Sequence, residues 1–413
     1  MRRVTMMGVV GVVAASSASG VTLTPVLKIG DSTSAGTVNS IGGVTINQVG
    51  GFAVGYSTAS TDAFYGSATG LSPAVLLQEG VIDGETVTGF NTGVLGLSNS
   101  GNVAWRGTIG TGSAIGVDAT SIVAKTGGAI PSIPGVNYNV MNGPSISADG
   151  TNVFFRSSTS ATAGAAAFAN GGSTALLIKD TTNVGPGVVF TAPGGPVISP
   201  SGAQYLSTTQ VNTAVNTRNV VVVNGTVPQP GGTELRQSLP VPNSLGGDGT
   251  VTWNSFSSTT AAINDSGTYL VTGTLGSAAA TVDAFLAIDG SIILREGDLV
   301  DGALLTGAPL SGALNNAGDW AAVWGTDAGE ALIVNGSILL KVGDSVGAYG
   351  TITDFTTGLN QLQLGLGSPL GGFVNATTSL GGVGVYAFAV PEPASLAAVA
   401  AGLVLVGKRR RAC

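Results

Sequence analysis

Residues 21–389 read as a long succession of short apolar runs broken by Gly, Asn and Asp. Within the runs, apolar positions alternate with small or polar ones, the period-two pattern of half-buried strands. Ala284-Phe-Leu-Ala-Ile-Asp-Gly-Ser-Ile-Ile-Leu-Arg-Glu-Gly-Asp298 is one apolar run, an Asp-Gly break, and a second run closing on Gly-Asp. Ala331-Leu-Ile-Val-Asn-Gly-Ser-Ile-Leu-Leu-Lys-Val-Gly-Asp344 nearly copies it. Asp289-Gly290 and Asn335-Gly336 predict two-residue hairpins, because a type I′ turn needs positive φ at both central residues. Weaker copies lie at 115–125, 175–179 and 220–227, the last with Asn224-Gly225, and 75–80 is a truncated one.

A second pattern accompanies each hairpin: an apolar residue, a polar turn closing on Gly, then renewed alternation. It occurs at Ile46–Gly50, Leu97–Gly101, Ile146–Gly150, Ile198–Gly202, Ile263–Gly267 and Leu314–Gly318. Such turns enter strands. Phe52, Tyr56, Trp105, Phe154, Tyr269, Trp320 and Trp324 follow them at positions that share a strand face, which predicts packing between repeats.

The unit recurs roughly every 45 to 55 residues, the range of propeller blades, and offers about four strands each time. The expected fold is all-β, a β-propeller of about seven four-stranded blades. The ends predict closure: Val26–Asp31 supplies only the second half of a hairpin, and Gly384–Phe388 ends without a partner. Pairing them completes one blade and removes two exposed edges. The alternative is a β-solenoid or a tandem β-sandwich made from the same hairpins.

The two ends of the chain carry different patterns. Met1-Arg2-Arg3, an apolar stretch from Val4 to Ala15, and small residues to Gly20 predict a secretory signal peptide over 1–20. At the other end, Pro391-Glu392-Pro393 breaks the chain, Ala394–Val406 is uncharged and apolar, and Lys408, Arg409, Arg410 and Arg411 follow. The apolar run is short for a membrane span, which needs about 20 residues. Its basic flank is expected on the cytoplasmic side.

Segment 390–413 resembles the PEP-CTERM sorting signal, carried here by Pro391, Glu392 and Pro393, the short hydrophobic helix, and Arg409, Arg410 and Arg411. The resemblance implies recognition by an exosortase, transient anchoring in the inner membrane, and a host with an outer membrane and secreted polysaccharide. The plain alternative is a C-terminal transmembrane anchor. The body also resembles a group of exported, propeller-like bacterial proteins. That likeness rests on Gly30-Asp31, Gly297-Asp298 and Gly343-Asp344, with the Asn264–Gly267 and Asn315–Gly318 turns. Gly80-Val81 and Lys125-Thr126 depart from it. This second resemblance implies a fold and no chemistry.

Composition narrows the chemistry. Of 15 Lys+Arg, six lie in the two terminal signals; of 22 Asp+Glu, only Glu392 does, so the body holds 9 bases against 21 acids. That balance disfavours nucleic acid, whose binding depends on neutralising phosphates. Histidine is absent, which removes the commonest general base and most zinc sites. The lone cysteine, Cys413, excludes an intramolecular disulfide.

Candidate sites are few. Asp31, Asp298 and Asp344 could offer oxygen ligands to Ca²⁺, but no Asp-x-Asp-x-Asp-Gly loop is present. A turn-closing carboxylate is the simpler reading. Asp298 with Asp301, or Asp83 with Glu85, are arbitrary choices for the carboxylate pair of a glycosidase. Trp253 stands in the irregular fifth unit beside Asn254 and Ser255 and is the expected exposed aromatic, a possible ligand contact. No cofactor, metal or catalytic residue is expected. The reading is an exported, envelope-sorted binding or structural module of the cell surface or matrix, associated with extracellular polysaccharide. The alternative is a polysaccharide-acting hydrolase or lyase using carboxylates.

Overall fold

The computed structural model describes residue 21 and residues 23–390, apart from 161–164, 171–173, 180–182, 186–187, 193, 213–216, 357, 359 and 366–369. Across 165–192 it describes backbone alone. Both terminal signals, 1–20 and 391–413, lie outside the described residues. Among the described residues no helix is long and apolar enough to cross a membrane. The transmembrane helix expected at 394–406 falls outside them.

Among the described residues the chain is all-β, its helix limited to short 3₁₀ turns such as Pro230–Gly232 and Gly347–Tyr349. Successive antiparallel sheets of four or five strands occupy 40–78, 80–125, 138–179, 183–223, 252–295, 299–341 and 352–389, the last completed by 23–28. They form a β-propeller arrangement in which six blades are established, one fewer than the repeat period predicts. In the sheet across 183–223 the strands Asn183–Gly185 and Val197–Ile198 are very short.

The hairpin turns follow from local chemistry. Asp289 and Gly290 have φ of 49° and 80°, and Asn335 and Gly336 have φ of 48° and 86°, as a type I′ turn requires. Asp83-Gly84 and Asp301-Gly302 adopt the same positive φ pair, a feature the sequence reading missed. Their carboxylates accept N–H groups from the outer strand of the same sheet, at Ile122 (3.2 Å) and Ile338 (2.7 Å).

Closure is found where the ends predict it. Leu23–Lys28 pairs antiparallel with Gly382–Ala389, matching Leu23 to Phe388 and Lys28 to Gly384. The first strand of the chain is thus the outer strand of the last sheet. This joins the two ends and sets aside the open-ended solenoid.

The cores lie between neighbouring sheets. Trp105, Trp324, Tyr56 and Tyr386 are fully buried. Phe90 bridges two sheets, with ring centroids 5.0 Å from Phe64 and 5.3 Å from Trp105. The indole N–H of Trp105 donates to Asp118 O and that of Trp324 to Gly307 O, both at 2.7 Å. The repeated aromatics therefore serve packing, as their shared strand face predicts.

Candidate binding channel

The strands Ser40–Ile46, Glu85–Leu97, Tyr138–Ile146, Val197–Ile198, Ala262–Ile263 and Ala303–Leu314 each lead into one of the repeated polar turns, and these turns converge. The turn residues Gly50, Gly101, Gly150, Gly202, Gly267 and Gly318 all have φ between 75° and 95°, a region that favours glycine. In the Asn-bearing copies the amide oxygen closes the turn: Asn47 Oδ1 accepts Gly51 N–H (2.6 Å), and Asn315 Oδ1 accepts Asp319 N–H (2.9 Å). The other face of each turn reaches its neighbour. Gln48 N–H donates to Asn99 Oδ1 (3.0 Å), Asn99 N–H to Ala148 O (2.7 Å) and Ala148 N–H to Pro200 O (2.8 Å). Ser201 N–H donates to Asp265 Oδ1 (2.7 Å), and Asp265 N–H to Asn316 Oδ1 (2.9 Å). Asn315 Nδ2 then reaches Gly365 O (2.9 Å).

Among the described residues a bond also crosses this ring. Gln48 Nε2 donates to Asp265 Oδ2 at 2.9 Å, linking turns 217 residues apart. Asp265 also accepts from Asn316 Nδ2. Burial pushes the Asp265 carboxyl up, but hydrogen bonds led by those from Ser201 outweigh it and hold the group below the usual carboxylate range. These amides and this carboxylate form a polar floor at one end of the central space.

Above the floor lies a cavity of about 450 Å³. Its wall is drawn from 45–48, 94–97, 142–146, 195–200, 258–263, 312–316 and 363–365. The opposite end is open, with Asn91, Ser258 and Thr259 exposed at the mouth. Val94, Pro144 and Pro196 give apolar wall, and Asn142, Asn360 and Gln363 give amides. Among the described wall residues Arg156 alone is charged, and the floor beneath adds the Asp265 carboxylate. Arg156 comes from Val153–Thr159, the strand that follows its polar turn, whereas the rest of the lining comes from strands that precede such turns, from the turns and from the segments beside them. The neighbouring strand that enters a polar turn is only Val197–Ile198, preceded by Gly194-Gly195-Pro196.

The other candidate residues sit elsewhere. Asp31, Asp298 and Asp344 each accept a backbone N–H three residues earlier, from Lys28 (2.8 Å), Arg295 (2.7 Å) and Lys341 (2.9 Å). Each closes a turn, and among the described residues no group of three or more metal-ligating side chains forms. Trp253 corrects the expectation of exposure. It is 1% exposed, packed against Phe285 at 5.1 Å and covered by Leu235 and Val241 of the irregular insertion. The insertion that suggested a surface loop is what buries it. The sorting residues Pro391, Glu392, Pro393, Arg409, Arg410 and Arg411 lie outside the described residues.

Paired acids occur at the joints between sheets, away from the channel. Phe90 N–H donates to Asp62 Oδ2 (3.0 Å), Gly307 N–H to Glu296 Oε1 (2.7 Å) and Phe355 N–H to Glu330 Oε2 (3.0 Å). Burial, with Asp62 adjacent, raises the Glu79 carboxyl; burial and then Glu296 raise Asp283; burial, with Asp354 adjacent, raises Glu330. Each latch ties one sheet to the next, and none faces the cavity.

Sequence reading had found the polar turns but not their convergence on one axis. It missed Arg156 altogether. The available signal was a guanidinium in the apolar second-strand run Val153-Phe-Phe-Arg156, in a chain with only 9% charged residues.

No protein-family model matches the chain, and no curated protein matches it in sequence. Among solved structures it is similar to the Dos1 propeller, at 12% identity over 89% of this chain and 83% of that one, with a TM-score of 0.40. It is similar to prolyl oligopeptidase B from Galerina marginata at 13% identity and a TM-score of 0.42, covering 82% of this chain but 47% of that one. A third likeness is to Kuenenia stuttgartiensis hydrazine synthase, at 12% identity, 71% and 78% coverage and a TM-score of 0.36. None of these assigns chemistry to the chain.

Proposed function

We propose that the body, 21–389, is a non-catalytic binding module that is exported through its N-terminal signal and associates with extracellular polysaccharide. In this reading the tail is processed by an exosortase after transient membrane anchoring, and the mature body stays at the envelope surface or in the matrix. The observation that carries the binding reading is the channel: an open-mouthed cavity whose described lining offers amides, hydroxyls and one guanidinium, above a floor whose carboxylate, Asp265, is engaged by Gln48, Ser201 and Asn316 rather than paired with a second acid. We also read the sheet across 183–223 as a seventh blade, because segment 195–200 takes its turn in the channel wall between 142–146 and 258–263.

The test is incubation of the full chain with the native extracellular polysaccharide of its host, following co-sedimentation and polymer length together. Binding without shortening is expected. Shortening of the polymer overturns the non-catalytic reading and turns attention to the carboxylates.

A further inference from the structure

We propose that the channel is a site for a neutral sugar residue, whose hydroxyls are met by the free strand edges and the unpaired amides of the wall. This deepens the binding reading given above and rests on it for its setting.

Charge sets the first limit. Both charged groups at the cavity are already met. Arg156 takes part in interactions within the fold. Asp265 in the floor accepts Ser201 N–H at one oxygen and the amides of Gln48 and Asn316 at the other. A charged ligand would give up its water there without gaining a counter-ion, a cost that a neutral one escapes. The body, with 9 bases against 21 acids, adds a further penalty for an anion.

Hydrogen-bonding capacity sets the second. Ser40–Ile46, Tyr138–Ile146 and Leu362–Leu364 each supply wall, and among the described residues each pairs with a strand on one edge only. Val197–Ile198 and Ala262–Ile263 do the same. An edge that no strand covers carries free backbone N–H and C=O groups, and here it borders the cavity. Part of it is used, since Val44 N–H donates to Asn360 O (2.7 Å). The side chains of Thr45, Asn142, Ser145 and Gln363 line the same space and make no hydrogen bond to another described residue.

The arrangement selects the shape. These groups are spread round an axis, a few from each strand. An extended peptide wants one long continuous edge. A compact ring with hydroxyls around its rim suits them better, because each hydroxyl both donates and accepts. Val94, Pro144 and Pro196 supply aliphatic wall for the C–H groups of such a ring. A volume of about 450 Å³ lies in the range that holds small ligands, about 300–1,000 Å³.

Two variants separate ligand from scaffold. Gln363→Met removes an amide that bonds no other described residue. Gly195 lines the channel, a Cβ built there meets nothing within 4 Å, and its φ lies outside the left-handed region. Gly195→Leu therefore fills the cavity without backbone strain.

The experiment is calorimetric titration of the full chain with glucose, glucuronate and glucosamine, one ring carrying no charge, a negative charge or a positive one. Glucose is expected to bind about tenfold more tightly than either charged form. Gln363→Met is expected to weaken glucose about fivefold, the scale of one hydrogen bond. Gly195→Leu is expected to abolish glucose binding at an unchanged melting temperature. Absence of glucose binding, a charged form that binds as tightly, or full glucose binding in Gly195→Leu each overturns the proposal. Polysaccharide co-sedimentation without glucose binding overturns it too, and leaves the binding-module reading intact. Selective glucose binding without co-sedimentation supports it and breaks that wider reading instead.

Discussion

At the floor of the channel each turn nearly repeats the last, whereas at the mouth the segments differ in length and residue type. Asn47, Ser98, Ser147, Ser199, Asn264 and Asn315 occupy one position of one motif, and each helps close its own turn or hold the next. Asn91, Ser258, Thr259 and Asn360 follow no such rule. Repetition marks the residues that hold the ring together. Its breakdown marks where the chain leaves that common framework and residue type varies from segment to segment.

The comparison breaks most severely if the ring itself is opened. Deleting 23–28 strips the outer strand from the last sheet and exposes the Gly382–Ala389 edge along with Tyr386 and Phe388, both buried in the closed form. The expected outcome is loss of cooperative melting across the whole body, because unpaired edges and uncovered core affect both neighbours of the opened sheet. Thermal unfolding followed by circular dichroism checks it. A single transition with an unchanged midpoint would show that the sheets stand independently.

A sharper contrast sets the floor against the mouth within the intact ring. Asn47 is buried, donates to Ala68 O (2.8 Å) and Ser98 O (2.9 Å), and accepts from Gly51 N–H. Asn47→Ala leaves several backbone groups unpaired and is expected to destabilise by about 2–4 kcal/mol, given about 1–3 kcal/mol for each buried group left unsatisfied. Thr259→Ala at the exposed mouth is expected to change stability by no more than about 0.5 kcal/mol. Urea denaturation of the two variants measures both. Equal losses would erase the distinction between scaffold and mouth.

That distinction also explains how much was legible in the sequence. The type I′ turns at Asp289-Gly290 and Asn335-Gly336, the strand-entering turns, and the pairing of the chain ends are local or repeated features, so residue type and spacing reveal them. The channel arises only when turns some 51 residues apart meet on one axis, as Gln48 meets Asn99. No local pattern encodes that meeting. Trp253 shows the opposite error. Its irregular surroundings looked like a surface loop, but long-range packing by Leu235 and Val241 buries it.

The smallest effect, a pH dependence, separates the floor from the joints between sheets. Asp265 in the floor is held below its usual range, so its contribution is present above the unfolded-state value and lost as pH falls through the depressed folded value. Glu79, Asp283 and Glu330 at the joints are raised, chiefly by burial. Between the unfolded and folded values the native chain holds more protons at these sites than the unfolded chain does. Their contribution is therefore full below the unfolded-state value and declines as pH rises through the raised one. The two sets oppose each other, so the melting temperature should peak in mildly acidic solution rather than at neutrality. Asp265→Asn should flatten the acid side of that curve. Glu330→Gln, whose amide oxygen can still accept the Phe355 N–H, should flatten the alkaline side. Differential scanning fluorimetry of the three proteins across a pH series reads both slopes. If Glu330→Gln alters the acid side instead, the joint carboxylates are not the groups that hold the extra protons.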